Sequence, residues 1–276
     1  MSSLPNIKIV GRRLRALVLH NSSVTSLPTY LGRFKKLSVL SVTITKLDSF
    51  PTFVAKLKNL RSLILAENGM TGSIPKLNTL KKLRHLQLSR NSISSLPDLT
   101  RLRRLKFLWV DRNKIGVLPR IPKGLLHLYA DAVNNNTQFE LPRNFFTRKM
   151  KLQHLDISSN SLANIPEDIQ DASRLVSLKL FGNPLEVLSP VLEKLPKLAH
   201  LDLENSLPST TKAEAYIQSL QDYNWFNLSQ LASLNLAGLR TGNLPSDEDY
   251  SQMFRSLEEI NLEDNDLTEL PAWLGK

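Results

Sequence analysis

Apolar residues recur along this chain with one spacing. Between Leu152 and Pro166 they fall at Leu152, Leu155, Ile157, Leu162 and Ile165, with Asn160 between the two groups, an L-x-x-L-x-L-x-x-N-x-L arrangement. Aligned on its first leucine, the arrangement begins again at Leu14, Leu37, Leu60, Leu83, Leu105, Leu125, Leu175, Leu198, Leu231 and Leu257. Most steps are 22 or 23 residues, and the longest, 27 and 33, follow Leu125 and Leu198. In each unit the x-L-x-L-x run predicts a short strand whose two leucines point inward and whose intervening residues point outward. One such unit cannot bury its apolar side alone, so copies must stack and share a continuous core. Stacked in parallel, the strands predict one concave sheet, with the segment after the asparagine returning over the convex side. Leu-Pro or Ile-Pro ends most returns, where a fixed φ and a missing donor cost nothing because no ladder exists.

Asn68, Asn91, Asn113, Asn160, Asn183 and Asn265 hold the ninth place of their units. A buried carboxamide there is expected to bond the turning backbone that has left the strand. The spacing is identified as that of the leucine-rich-repeat superfamily. The resemblance implies an α/β fold, a leucine-rich-repeat solenoid or horseshoe with a parallel concave β-sheet and an irregular or short-helical convex side. It also implies a single domain over residues 1–276, of about eleven repeats, with insertions near 131–147 and 206–230.

The first insertion carries an Asn-rich run, Asn134-Asn-Asn136, that reads as a loop. In the second, Thr211-Lys-Ala-Glu214 has the form of a capping box. Ala213, Tyr216, Ile217 and Leu220 follow at helical spacing, so a short amphipathic helix is expected. Trp225 and Phe226 after it are either its packing anchor or a docking element. Neither chain end shows a polar cap. Either the caps are irregular or the chain is a fragment of a longer array, and a fragment is the expectation.

Composition narrows the setting. Hydrophobic residues at 41% suffice for a continuous core, and no apolar run approaches membrane length. There is no cysteine and no secretory leader, which points to a reducing, cytoplasmic location and makes the sequons at Asn21, Asn135 and Asn227 incidental. Charge is unevenly spread: residues 1–150 hold 27 Lys+Arg against 6 Asp+Glu, whereas 151–276 hold 9 against 19. Polarity of +21 followed by −10 is an argument about partners, not about fold.

Within the superfamily, Leu141-Pro-Arg-Asn-Phe-Phe-Thr-Arg-Lys-Met-Lys-Leu-Gln-His-Leu-Asp-Ile-Ser resembles the repeats of plant nucleotide-binding leucine-rich-repeat immune receptors. That resemblance implies a signalling role in plant defence. No G-x-x-x-x-G-K-[ST] phosphate loop occurs, so it implies the sensor part of such a receptor alone. Met70-Thr-Gly-Ser-Ile-Pro resembles the plant-type repeat, and the regular 23-residue units also resemble bacterial effector and intracellular scaffold arrays.

Catalytic chemistry finds no support. A cysteine nucleophile and a G-x-S-x-G elbow are both absent. His20, His85, His127, His154 and His200 all fall at outward strand positions, where histidine is ordinary repeat filler, so neither a metal nor another cofactor is expected, and no small-molecule substrate.

Two binding surfaces are expected instead. Arg12, Arg13, Lys35, Lys36, Lys58, Lys81, Lys82, Arg103, Arg104 and Lys123 precede the strands in register and predict a basic ladder along one rim. Such a ladder suits an acidic partner, nucleic-acid phosphates or anionic lipid, or is simply a solvated rim. The outward strand positions carry Phe107, Trp109, Asp111, His127, Tyr129 and Asp131, joined by His154, Asp156, Lys179 and Phe181. Aromatics rimmed by charge anchor protein interfaces, and equally they stack between neighbouring strands. The function expected is recognition of a protein partner on the concave face.

Overall fold

The computed structural model describes residues 13–132, 139–208, 212–223, 228–243, 256–270 and 274. By its internal contacts the chain divides into two compact units, Met1–Arg143 and Asn144–Lys276, whose boundary falls in the long sixth repeat. Arg12, the Asn134–Asn136 run, Thr211, Trp225 and Phe226 lie outside the described residues.

In the first unit the strands are β1 (Ala16–His20), β2 (Val39–Thr43), β3 (Ser62–Ile64), β4 (Thr71–Ser73), β5 (His85–Gln87), β6 (Ser92–Ser95), β7 (Phe107–Trp109) and β8 (His127–Tyr129). A parallel sheet runs β1-β2-β3-β5-β7-β8 in unbroken register, so that Leu17, Leu40, Leu63, Leu86, Leu108 and Leu128 lie in one row. From Leu40 onward that row is fully buried. Each leucine removed from water there contributes about 2 kcal/mol. β4 and β6 form a separate parallel pair on the returning segments, Thr71 opposite Ser92. The Thr-Gly-Ser segment has no apolar alternation, and its register comes from the stacking of the repeats that carry it.

In the second unit β9 (His154–Asp156), β10 (Ser177–Lys179), β11 (His200–Asp202), β12 (Ser233–Asn235) and β13 (Glu259–Asn261) pair in parallel in that order. Leu155, Leu178, Leu201 and Leu234 make its inward row. The expected helix is α1 (Ala213–Gln221). It buries Tyr216 and Leu220, and no side chain of its N-cap residue, Lys212, caps it. Short 3₁₀ turns fill the returning segments at Thr29–Arg33 and Thr52–Lys56 in the first unit and at Glu167–Asp171 and Pro190–Lys194 in the second. Pro28, Pro51 and Pro166 stand just before three of them, their φ near −70° already set for the turn that follows.

The ninth-place asparagines do what their position demands. Asn113 donates to Leu88 O and Val110 O at 3.0 and 2.8 Å, while its Oδ1 accepts from Ile93 N at 3.1 Å. It therefore ties its own turn to the preceding repeat. Asn68, Asn91, Asn183 and Asn265 make the same bridge. A hydroxyl stands in where Ser206 donates to Leu180 O of the preceding repeat at 3.1 Å, whereas Thr45 at this place donates forward to Asn68 Oδ1.

The eighth place is left-handed in all eleven repeats, with φ from 47° at Ala132 to 68° at Gly238. Gly182 and Gly238 take that conformation freely, but Ile44 holds it at φ 52° with a β-branched side chain 43% exposed. Ile44→Asn is therefore expected to stabilise the first unit by about 1 kcal/mol, because the left-handed cost falls and little burial is lost. A lower urea midpoint for the variant would contradict this.

Candidate functional site

Because side chains alternate along a strand, burying Leu108 aims both Phe107 and Trp109 outward. The pairing register then sets His85, Phe107 and His127 side by side on β5, β7 and β8, with Gln87, Trp109 and Tyr129 beside them. The rings tile. Phe107 lies between His85 and His127 at centroid distances of 4.9 and 4.6 Å, and Trp109 stacks on Tyr129 at 5.7 Å with planes 4° apart. Phe107 and Trp109 are parallel within 10°, and His127 and Tyr129 within 16°. Phe107 has a ring on each face and Trp109 has Tyr129 on one, so the half-buried centre of the tile offers solvent ring edges. His85 is a member that the aromatic residues alone did not single out. The pairing register reveals it.

Asp111 lies two residues beyond Trp109, past the end of β7, half-buried, and accepts from Ser89 Oγ. Asp131 holds the matching place after Tyr129 and accepts, through its carbonyl, from Arg112 N at 2.9 Å. Across β1 to β3 the outward strand positions are uncharged, Val18, Val39, Ser41, Ser62 and Ile64 among them. Burial pushes the His85 imidazolium below its usual pKa, and the Arg84 charge adds to the effect. The neutral ring is thus the form that stacks on Phe107.

The rim doublets divide in two. Arg13, Lys36, Lys58, Lys81, Arg103, Arg104 and Lys123 are exposed. Lys35, exposed as well, donates to Gly32 O of its own turn at 2.8 Å and to Lys56 O of the next repeat at 3.2 Å, and Lys82 donates to Asn59 Oδ1 at 2.6 Å, so these two tie neighbouring turns together.

The second unit presents a different face. His154 and Asp156 on β9 stand opposite Ser177 and Lys179 on β10, followed by His200 and Asp202 on β11. Phe181 is 37% exposed, one residue before the left-handed Gly182. Lys179, Asp202, Asn235 and Glu259 line a shallow depression of about 280 Å³. Burial raises the Asp202 carboxyl above the usual range, with Glu204 and Asp156 adding repulsion that Lys179 opposes. Burial also lowers the pKa of His154, helped by His200. Among the described residues no group of three metal-ligating side chains comes together.

A family profile described as a leucine-rich repeat region matches residues 5–129, and the single leucine rich repeat matches residues 151–172 and 256–276. This chain is a leucine-rich-repeat protein. It is similar to osteomodulin of Bos taurus, 28% identical over 111 residues, which are 40% of this chain and 25% of that protein. It is similar as well to the disease resistance protein RFL1 of Arabidopsis thaliana, 29% identical over 136 residues, 49% of this chain and 14% of that one. The chain thus spans a quarter or less of the length of these curated relatives. Among solved structures, a leucine-rich-repeat protein of Leptospira interrogans superposes with a TM-score of 0.80 at 26% identity, covering 99% of this chain and 67% of its own. Leucine-rich-repeat proteins commonly mediate protein–protein interaction, and the fold is typically a binding scaffold rather than an enzyme. Among the described residues no helix is long and apolar enough to cross a membrane.

Proposed function

We propose that this leucine-rich-repeat chain is a non-enzymatic recognition module that seats a protein partner on the outward sheet face of its first unit. The observation carrying the reading is the aromatic tile of His85, Phe107, His127, Trp109 and Tyr129, held in one orientation by mutual stacking. A preformed aromatic surface loses little conformational entropy when a partner arrives, which is why rigid aromatics make effective anchors. In the second unit, taken by itself, His154, Asp156, Lys179 and Phe181 are a separate candidate surface for protein contacts. The lack of cysteine supports a reducing compartment, which we take to be the cytoplasm. Similarity to a disease resistance protein supports the sensor part of an immune receptor as its setting.

The second reading, a nucleic-acid or anionic-lipid binder, is favoured by the exposed rim cations Arg13, Lys36, Lys58, Lys81, Arg103, Arg104 and Lys123. Salt separates the two. Phosphate contacts release counterions, so a ladder making about six of them loses roughly a thousandfold in affinity between about 50 and 200 mM salt. An interface anchored by aromatics keeps most of its affinity over that range. Retention of the chain on RNA, DNA and anionic liposomes is to be compared with retention on its captured protein partner. The protein complex is expected to survive about 150 mM salt and the Arg103→Glu/Arg104→Glu change. Retention on nucleic acid or liposomes at that salt, abolished by the same double variant, would replace the reading.

A further inference from the structure

One row of side chains on the first unit falls outside both the tile and the doublets. The residue directly after each repeat's opening leucine is Arg15, Ser38, Arg61, Arg84 and Lys106 in the first five repeats. Backbone bonds knit the row: Arg61 N to Ser38 O at 2.8 Å, Arg84 N to Arg61 O at 2.7 Å and Lys106 N to Arg84 O at 2.9 Å. It runs beside the tile, where the strands begin. Lys106 Nζ is held by Gly124 O at 2.9 Å. Arg15, Arg61 and Arg84 are exposed, and among the described residues their guanidinium groups meet no carboxylate and no other hydrogen-bond partner. Arg84 is near enough to the tile for its charge to be felt by His85.

The face is therefore banded across its strands. Cations stand where the strands begin, uncharged groups and aromatic edges fill the middle, and Asp111 and Asp131 stand where the strands end. Residues 1–143 carry 25 Lys+Arg against 6 Asp+Glu, a net +19. This field draws in negatively charged partners, and the bands fix how they lie.

The geometry points to an acidic polypeptide segment as the partner of this face, lying across the strands with carboxylates over Arg61 and Arg84 and apolar side chains against the edges of Phe107 and Trp109. Guanidinium groups in adjacent repeats start from strands about 5 Å apart, and same-side residues of an extended segment are about 7 Å apart, a mismatch that long arginine side chains absorb. Arginine also pairs carboxylates in a planar, two-bond geometry. Single-stranded nucleic acid fits less well, because it stacks its bases on open aromatic faces, and here the central Phe107 has both faces taken by His85 and His127, and Trp109 has one taken by Tyr129. The inference rests on the reading of this face as a recognition surface and adds the chemistry of what it recognises.

The test uses the full chain and fluorescent dodecapeptides in which Glu alternates with Phe or Leu, the same peptides with Gln for Glu, and an oligouridylate of matching charge. The acidic peptide is expected to bind at least about tenfold tighter than its Gln counterpart. Arg61→Gln/Arg84→Gln should erase that difference, whereas Lys36→Gln/Lys58→Gln, which removes the same charge from the rim, should preserve it. Thermal melting confirms that both double variants are folded. Equal binding of the Glu and Gln peptides, both lost in Trp109→Ala, would overturn the acidic partner and leave the recognition face standing. Equal losses in the two double variants, or tighter binding of the oligouridylate, would overturn the inference too. Acidic-peptide binding indifferent to Trp109→Ala would overturn both it and the reading beneath it.

Discussion

Asn183→Ala is expected to destabilise the second unit by about 3 kcal/mol or more, the scale set by leaving several buried backbone groups without partners. Asn183 is fully buried. Its Nδ2 donates to Ile157 O at 3.0 Å and Leu180 O at 2.7 Å, and its Oδ1 accepts from the N–H groups of Asn160 and Leu162, both at 3.0 Å. Alanine leaves Ile157 O and the N–H groups of Asn160 and Leu162 without these bonds in an apolar interior, while Leu180 O keeps Ser206 Oγ. The loss spreads over two repeats, because three of the four partners belong to the repeat before. Asn183→Ser should cost less, since Ser206 at the same place of its own repeat keeps one such bond with its hydroxyl. Urea melts of the two variants, read by far-UV circular dichroism, check the order. Equal losses for Ala and Ser would mean that packing, not hydrogen bonding, is what the position supplies.

Trp109→Ala should act the other way round, weakening partner binding by about 2 kcal/mol, or roughly thirtyfold, as central interface aromatics do. The side chain stands on the outward side of β7, so no core leucine moves. What the fold loses is the stack on Tyr129 and the parallel contact with Phe107, together about 1 kcal/mol. Titration calorimetry with the captured partner, beside thermal melting, measures both quantities. A large fall in melting temperature with unchanged affinity would assign the tile to sheet stability alone.

Much of this molecule is legible in the sequence because the period carries it. The spacing of Leu83, Leu86 and Leu88 fixes which residues face inward, and from that parity the outward place of Trp109 follows without coordinates. The ninth-place asparagines are visible because a carboxamide among leucines needs a backbone to bond. Other features follow from stacking rather than from local preference. The left-handed eighth place is filled by Ile44, Glu67, Arg90 and Ala132 as readily as by glycine, so no residue type announces it. The β4–β6 pair sets Thr71-Gly-Ser73, which has no apolar residue, beside Ser92–Ser95, whose Ile93 alone is apolar, so neither strand shows the usual alternation. Lys35 and Lys82 look like their rim neighbours, yet they are bound to the turns of adjacent repeats. The row of Arg15, Arg61 and Arg84 escapes notice because basic doublets ahead of the leucines draw the eye, and only the sheet register sets it beside the tile.

Where a partner sits is most directly measured by a photo-crosslinker placed at single positions. Benzoylphenylalanine at Ser62 and at Gln87, both on the outward face next to the tile, is predicted to capture the partner covalently on irradiation. The same group at Thr52 or Lys58, on the returning segments, is predicted to capture none. Crosslinks from Thr52 or Lys58 with none from Ser62 or Gln87 would contradict the account at its centre.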